Sequence, residues 1–457
     1  MKLPYERPTI RKLTGGALNK FGPGAGVRAV PALDGVRVDE LTARFGSPLF
    51  VLSERQLRRS YQAAARAFAT RYPQVQLAWS YKTNYLNAVC RVFHQEGAWA
   101  EVVSGMELEK ALGNGVPGAH ILFNGPGKRR ADLLRACAVD AVVHLDNADE
   151  LHLLLDVAAG RPQRPRVALR VNLDAGTFPQ WDRFGFNLEN GEAWQALGRI
   201  VASGRLDLVG LHCHIGTYVL QPAAYATAAG QLAALALRCQ RELHTALHYL
   251  DLGGGFPSNN TLKGAYLPAT DTVPTLDEYA EAITGALLGA GFGPDELPLL
   301  VLEAGRVLVD DAGSLLGTVL ATKRLADGRR ATILDFGVNL LFTSFWYDHR
   351  ISPAREFSDQ TEPTVLYGPL CMNIDRLRES VVLPLLSPGD QVVVHKVGAY
   401  NMSQWQQFIN LRPNVVLIDE RGTPHVVRAA ETLEYLQQLE QVPAHLQTTI
   451  LPSVPGE

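Results

Sequence analysis

The feature that most constrains this chain is a regular alternation of two patterns between residues 76 and 305. Eight short apolar runs rich in β-forming residues recur there, separated by stretches with apolar residues at helical spacing. The predicted strands are 77–82, 100–104, 121–126, 141–146, 166–173, 208–216, 249–255 and 299–305. Near-continuous apolar strands are typical of a parallel sheet that is covered on both faces. Eight of them over about 250 residues predict a closed (β/α)8 TIM-type barrel.

The pattern changes after Arg306. Runs such as RRATILDFG and DQVVVHKVGAY alternate with the turn signals SPGD and DERG, which is typical of antiparallel strands. Residues 1–45 are rich in Gly, Pro and Arg and show little periodicity. We therefore predict an α/β protein with two domains: the barrel over 46–305, and a mainly antiparallel β domain made of 306–457 together with 1–45.

Composition excludes several classes of function. The chain is 47% hydrophobic and 19% charged, as expected of a globular protein with an ample core. A net charge of -3 gives no basic surface for nucleic acid. No apolar run approaches the roughly 20 residues that span a membrane. Five cysteines without a CxxC pair, and no secretory apolar segment, favour the cytoplasm.

Polar residues recur where the predicted barrel strands end. In barrels of this kind the chemistry lies at the carboxyl ends of the strands, so these side chains should converge. From the first predicted strand to the eighth, the residues at the strand ends are Lys82; Glu101 and Ser104; Asn124; His144; Arg170 and Asn172; His212 and His214; the glycines Gly253 to Gly255; and Glu303 with Arg306.

Two of these ends allow more than one interpretation. Lys82 could lay its stem on apolar surface with its head in water, or it could be an amine kept partly dry so that it loses its proton and forms a Schiff base. The glycines 253–255 could form a plain tight turn. With Arg306 after the next strand, they also match the place where barrels bind phosphate through backbone N–H groups. Lysine plus phosphate points to pyridoxal phosphate.

Nine motifs occur in order from about residue 78 to 403: YKTN, EVVSGMELEKAL, ILFNGPGK, RFGFN, GLHCHIG, LDLGGGFP, EAGR, YGPLC and GAYNMS. In them the chain resembles the fold-type-III pyridoxal-phosphate decarboxylases, the group of diaminopimelate, ornithine and arginine decarboxylases, and most of all the diaminopimelate branch. The resemblance implies an alanine racemase-like barrel with a C-terminal β domain. It also implies pyridoxal 5'-phosphate as cofactor, a carboxy-lyase reaction on a small-molecule amino-acid substrate, and a homodimer with shared active sites.

The resemblance also implies roles for individual residues. Lys82 matches the Schiff-base lysine, His214 the residue stacked on the pyridine ring, and Glu303 the carboxylate that faces the ring nitrogen. Cys371 matches a thiol that reaches into the partner subunit's site and protonates the substrate carbon, although a cysteine can also be a small buried hydrophobe. The phosphate-binding set is Thr217, Gly253, Gly254, Gly255, Arg306 and Tyr400. The two histidines of HCHIG could be a metal pair, but no third ligand stands out and we predict no metal.

The chain departs from the diaminopimelate branch where the distal end of the substrate would bind. In that branch a glutamate follows the active cysteine and binds the distal ammonium of the substrate, but here Met372 follows Cys371. An arginine of that branch binds the distal carboxylate, and Thr343 stands in its place here. Each lost charged partner typically costs about 2–5 kcal/mol. Tyr347 and Asp375 match residues that shape the substrate pocket. We therefore expect a substrate whose distal group is uncharged, conjugated or held by other residues.

Three alternatives remain: diaminopimelate decarboxylase proper in lysine biosynthesis, an amino-acid racemase or epimerase, and a non-catalytic cofactor-binding relative. Glu303 favours a decarboxylase, since a carboxylate against the ring nitrogen strengthens the ring as an electron sink, whereas alanine racemases resemble one another in placing an arginine there. Lys82, Cys371 and Glu303 together count against a binding protein, which would need none of them.

Overall fold

The structure is a computed structural model that describes residues 27–176, 181–293, 295–357 and 360–447. The described part begins with two short paired strands, a helix and a longer strand. These are β1 (Ala32–Leu33), β2 (Val36–Arg37), α1 (Val38–Phe45) and β3 (Leu49–Ser53). The first 26 residues of the predicted N-terminal segment lie outside the described residues.

Eight parallel strands close into the predicted barrel. They are β4 (Val75–Ser80), β5 (Trp99–Val102), β6 (Ile121–Phe123), β7 (Val142–Leu145), β8 (Arg166–Asn172), β10 (Asp207–His212), β11 (Tyr249–Asp251) and β12 (Leu299–Ala304). Strand β12 pairs with β4, and β10 pairs with β8, which completes the ring. The short β9 (Phe186–Asn187) adds to the end of β8. The fold class predicted from the alternating runs is confirmed.

Helices between the strands cover the outside of the barrel. They are α2 (Glu54–Ala69), α3 (Asn87–Gln95), α4 (Gly105–Gly113), α5 (Arg130–Ala138), α6 (Ala148–Ala158), α7 (Glu192–Ser203), α8 (Pro222–Leu243), α9 (Ala269–Thr272) and α10 (Leu276–Leu288), with the short α11 (Arg306–Val309) after β12. Ser104 caps α4 by accepting a hydrogen bond from the Glu107 N–H. Among the described residues, no helix has both the length and the apolar character needed to span a bilayer.

The second sheet is mainly antiparallel. Its strands are β13 (Gly313–Arg324), β14 (Arg330–Leu334), β15 (Ile351–Pro353), β16 (Thr361–Tyr367), β17 (Arg376–Pro384), β18 (Gln391–His395), β19 (Val415–Ile418) and β20 (Pro424–Arg428), with helices α12 (Asn401–Gln404) and α13 (Leu433–Gln437). Most neighbours run antiparallel, and β14–β16 and β19–β3 are parallel.

Strand β3 belongs to this second sheet. It pairs with β13 and β19, so the barrel range that we predicted from residue 46 begins instead with α2. The apolar side chains of β3 pack on both faces of the strand. Phe50 lies in the main core. On the other face, Leu49 and Val51 pack with Val38 and Leu41 of α1. This strand therefore ties the segment before the barrel to the β domain.

Candidate active site

A cavity of about 100 Å³ opens at the carboxyl ends of the barrel strands. Its lining brings together most of the residues that the sequence singled out, although they are spread over more than 300 positions of the chain. The lining includes Lys82, Trp181, His214, Thr217, Gly254, Gly255, Glu303, Arg306 and Tyr400. Gly253 lies beside this wall, where a Cβ atom would come within 2.8 Å of His214 Nδ1.

Lys82 follows β4 in a single 3-10 turn, and its amine points to a carboxylate of the next strand. Nζ lies 2.5 Å from Glu101 Oε2, which also accepts a 2.5 Å hydrogen bond from the Ser80 hydroxyl. Burial alone lowers the pKa of Lys82, but the Glu101 and Glu303 carboxylates outweigh it and hold that pKa above its ordinary value. The two carboxylates therefore keep the amine protonated, contrary to the interpretation in which partly dry surroundings remove its proton.

The glycine turn after β11 leaves no room for side chains. Gly253 and Gly255 have φ angles of +63° and +91°, which favour glycine. A Cβ atom on Gly254 would lie 2.3 Å from the Glu303 carbonyl oxygen, and one on Gly255 would lie 2.3 Å from that of Gly216. The backbone therefore forms part of the cavity wall itself.

Arg306 begins α11 beside this turn and is buried. Its guanidinium donates to the Thr217 hydroxyl at 3.1 Å and to the Tyr347 hydroxyl, and the Tyr400 ring centroid lies 4.9 Å away. It forms no ion pair with a carboxylate among the described residues. A buried guanidinium whose hydrogen-bond partners among the described residues are two hydroxyls is suited to an anionic group such as phosphate.

His214 and Trp181 form another wall of the cavity. The Gly254 N–H donates to His214 Nδ1 at 3.1 Å, and the imidazole and indole centroids are 5.3 Å apart. Burial, with Arg170 and Lys82 nearby, lowers the pKa of His214 to about 3, so the ring is neutral. Trp181 was missed by the sequence reasoning. Its only signal is its place two residues before the RFGFN motif.

The two histidines of HCHIG face different surroundings. His212 Nε2 lies 3.4 Å from Glu303 Oε2 in the barrel core, whereas His214 lies at the glycine turn. The interpretation in which both hold one metal is therefore wrong. His144, His212, Asp251 and Glu303 do bring potential ligand atoms within 4.8 Å of one another. Backbone and side-chain N–H groups already bond both carboxylates, which favours a hydrogen-bonded cluster.

The remaining predicted residues lie in the β domain. The Thr343 hydroxyl donates to Asn401 Oδ1 at 2.9 Å and is buried, and Asp375 accepts the Val338 and Leu370 N–H groups at 2.8 and 2.7 Å. Both side chains thus hold the β domain together. Cys371 is exposed, and Met372 is partly buried against the main core. Tyr347 reaches the cavity through Arg306.

The family model described as "Pyridoxal-dependent decarboxylase, pyridoxal binding domain" matches residues 55–310, more than half of the chain. The chain belongs to this decarboxylase family. It is a carboxy-lyase whose cofactor is pyridoxal phosphate, and the resemblance seen in the motifs is confirmed. The site fits this cofactor. A glycine turn and a buried guanidinium that forms no ion pair among the described residues suit the phosphate, a lysine amine suits the aldehyde, and a buried carboxylate suits the ring nitrogen.

Curated relatives of this decarboxylase match nearly its whole length. It is 30% identical to diaminopimelate decarboxylase of Bacillus subtilis over 89% of this chain and 94% of that one. It is also 30% identical to the Methanothermobacter thermautotrophicus enzyme, over 91% and 96% of the two chains. The crystal structure of Methanocaldococcus jannaschii diaminopimelate decarboxylase in complex with L-lysine superposes with a TM-score of 0.83 at 27% identity, covering 93% of this chain and 98% of that one.

Proposed function

We propose that this enzyme removes the α-carboxyl group of an amino acid whose distal end is uncharged or conjugated, in a reaction like that of the diaminopimelate decarboxylases. The observation that carries this proposal is the convergence of Lys82, Glu303 and Arg306 on one cavity. These are the amine, carboxylate and guanidinium that pyridoxal-phosphate decarboxylation needs. When bound, the cofactor supplies an aldehyde for covalent attachment and a ring that accepts electrons.

Each side chain of the cavity has a separate task. Lys82 would carry the cofactor covalently, and Glu101, which the Ser80 hydroxyl holds in place, positions its amine at the cavity. Arg306, the Thr217 hydroxyl and the Gly255 N–H would hold the phosphate, with Tyr400 packed against the guanidinium. The Gly253 and Gly254 N–H groups, which the resemblance also assigns to the phosphate, donate instead to Asp251 and His214. The neutral His214 would pack against the cofactor ring, and Glu303 would favour a proton on the ring nitrogen.

A homodimer completes the site in this proposal. Cys371 is exposed and does not line the cavity of its own chain among the described residues. An exposed thiol at this position suits a proton donor that works in the active site of a second copy. The enzyme then acts as a pair of interdependent subunits, and we place it in the cytoplasm.

The altered distal recognition rests on Thr343 and Met372. The Thr343 hydroxyl donates a hydrogen bond to Asn401 inside the β domain. Met372 carries an uncharged thioether. Neither residue therefore provides a charge that could bind a substrate. A second candidate, diaminopimelate decarboxylation itself, is favoured by relatives of that name that match about nine-tenths of the chain.

The deciding experiment is carbon dioxide release by the purified enzyme loaded with pyridoxal phosphate. The substrates are four amino acids with a charged distal group, meso-diaminopimelate, ornithine, lysine and arginine, and a set of amino acids whose distal group is conjugated. Lys82→Ala is the control. We expect weak turnover of all four and efficient turnover of amino acids with a conjugated distal group. Efficient turnover of meso-diaminopimelate would establish the second candidate. Retention of the carboxyl group with inverted chirality would establish a racemase.

A further inference from the structure

Two buried carboxylates lie side by side in the barrel core. Asp251 ends β11 and is 0% exposed, and Glu303 on the neighbouring β12 is 5% exposed. An oxygen atom of each lies within 4.8 Å of the other. At this separation and burial, two negative charges repel each other strongly.

Three other buried carboxylates of the barrel domain each have a cation as partner. Glu101 pairs with Lys82 at 2.5 Å, Asp146 with Arg170 at 3.3 Å, and Glu150 with Lys128 at 2.8 Å. Asp251 and Glu303 form no ion pair with a lysine or arginine among the described residues.

The nearby histidines do not supply the missing charge. His212 lies 3.4 Å from Glu303, but burial, with Arg170 close by, lowers its pKa well below the ordinary value. Burial and the neighbouring His212 lower the pKa of His144 in the same way, and its Nε2 pairs with the Tyr249 hydroxyl at 2.7 Å. Both rings are therefore neutral, and neither offsets the charge of the two carboxylates.

The hydrogen bonds of the two carboxylates differ. Asn124 donates to Glu303, while Asp251 Oδ1 accepts the Gly253 N–H at 2.8 Å. Asp251 Oδ2 has no hydrogen-bond partner among the described residues. A buried oxygen without a donor is costly as an anion and far less so when it carries a proton. Burial, and then the charge of Glu303, raise the pKa of Asp251 well above its ordinary value.

We propose that Asp251 works as a neutral carboxylic acid and as the positioning residue of Glu303: its Oδ2 carries a proton and faces Glu303 as a donor. The pair then holds a single negative charge, which matches the single positive charge of a protonated ring nitrogen. The donor also fixes the direction of the Glu303 carboxylate. This inference rests on the proposed function, because it assigns the ring nitrogen to Glu303.

Three variants of the loaded enzyme test the proposal. Asp251→Asn keeps the shape, the neutrality and an N–H donor, so we expect carbon dioxide release within about threefold of wild type. Its cofactor absorbance should keep the wild-type dependence on pH. Glu303→Gln removes the remaining charge and should lose at least about a hundredfold. Asp251→Leu removes the donor and should shift the pH dependence of the cofactor absorbance.

Infrared spectroscopy tests the proton without reference to activity. In protein labelled with carbon-13 at the aspartate carboxyl groups, wild type at pH 8 should show the carbonyl band of a protonated acid, and Asp251→Asn should lack it. Asp310 is the internal reference, because burial raises its pKa only to about 6 and it is ionised at pH 8.

Absence of that band from wild type would overturn the proposal, and so would an Asp251→Asn enzyme as inactive as Glu303→Gln. A different result identifies failure of the proposed function alone. Suppose that wild type shows the band and binds the cofactor, yet releases no carbon dioxide from any amino acid tested. The proposal that Asp251 is protonated would then be supported, and the proposed decarboxylation would be wrong.

Discussion

Glu101 decides the charge of Lys82. Its carboxylate lies 2.5 Å from Nζ and is the largest influence raising the pKa of that amine against burial. Because only the neutral amine attacks an aldehyde, Glu101→Gln should lower the pKa of Lys82 and shift the pH midpoint of covalent cofactor attachment downward. The measurement is the rate of the absorbance change on adding pyridoxal phosphate between about pH 7 and 12, a range that extends above the ordinary lysine value of about 10.4.

The matched control for this variant is Glu109→Gln, which also removes a carboxylate paired with a cation. Glu109 pairs with Arg135 at 2.6 Å on the surface, so its loss should leave the midpoint where it is. An unchanged or higher midpoint in Glu101→Gln would show that the carboxylate does not control the lysine.

Arg306 is the single buried cation that we assign to the phosphate. Replacing it with glutamine should weaken cofactor affinity by about 2–5 kcal/mol, or roughly 30- to several-thousand-fold, because it removes a desolvated charged partner. The measurement is equilibrium binding of pyridoxal phosphate. Arg71→Gln is the control, since Arg71 pairs with Asp277 at 2.8 Å outside the site. Affinity within about twofold of wild type in Arg306→Gln would remove Arg306 from the phosphate site.

At the scale of elements, the turn after β11 depends on close backbone approach. Gly254→Ala would place a Cβ atom 2.3 Å from the Glu303 carbonyl oxygen, so the turn must shift away from β12. We expect a lower melting temperature and weaker cofactor binding. Gly198→Ala in α7 is the matched control, because nothing lies within 4 Å of its Cβ position. That substitution should stabilise the fold by about 0.5–1 kcal/mol, since alanine favours a helix interior.

The elements also show what the sequence could and could not predict. The eight barrel strands follow from local apolar runs, and their ends place Lys82, Glu303 and Arg306 together because parallel strands of a barrel share one edge. Strand β3 could not be assigned locally, since its partner β13 lies about 260 residues later in the chain and an isolated run LFVLS fits either sheet.

The hydrogen-bond partners of individual side chains could not be predicted from the sequence either. Thr343 and Asp375 align with substrate-pocket positions, yet their polar atoms are used by Asn401 and by the backbone of Val338 and Leu370. The pKa of Lys82 is raised first by Glu101 and then by Glu303, which is more than 200 positions away. Periodicity predicts strands, but not which polar partners a fold brings together.

For the whole molecule, the proposed shared active site makes a quantitative prediction. Lys82→Ala and Cys371→Ala should each be inactive as homodimers. When the two are unfolded together and refolded, about half of the dimers contain one of each, and each such dimer has one site with both Lys82 and Cys371 intact. The mixture should therefore regain about a quarter of wild-type carbon dioxide release, whereas mixing without unfolding should regain less. No recovery in refolded mixtures, with dimers confirmed by light scattering, would show that Cys371 serves the site of its own chain.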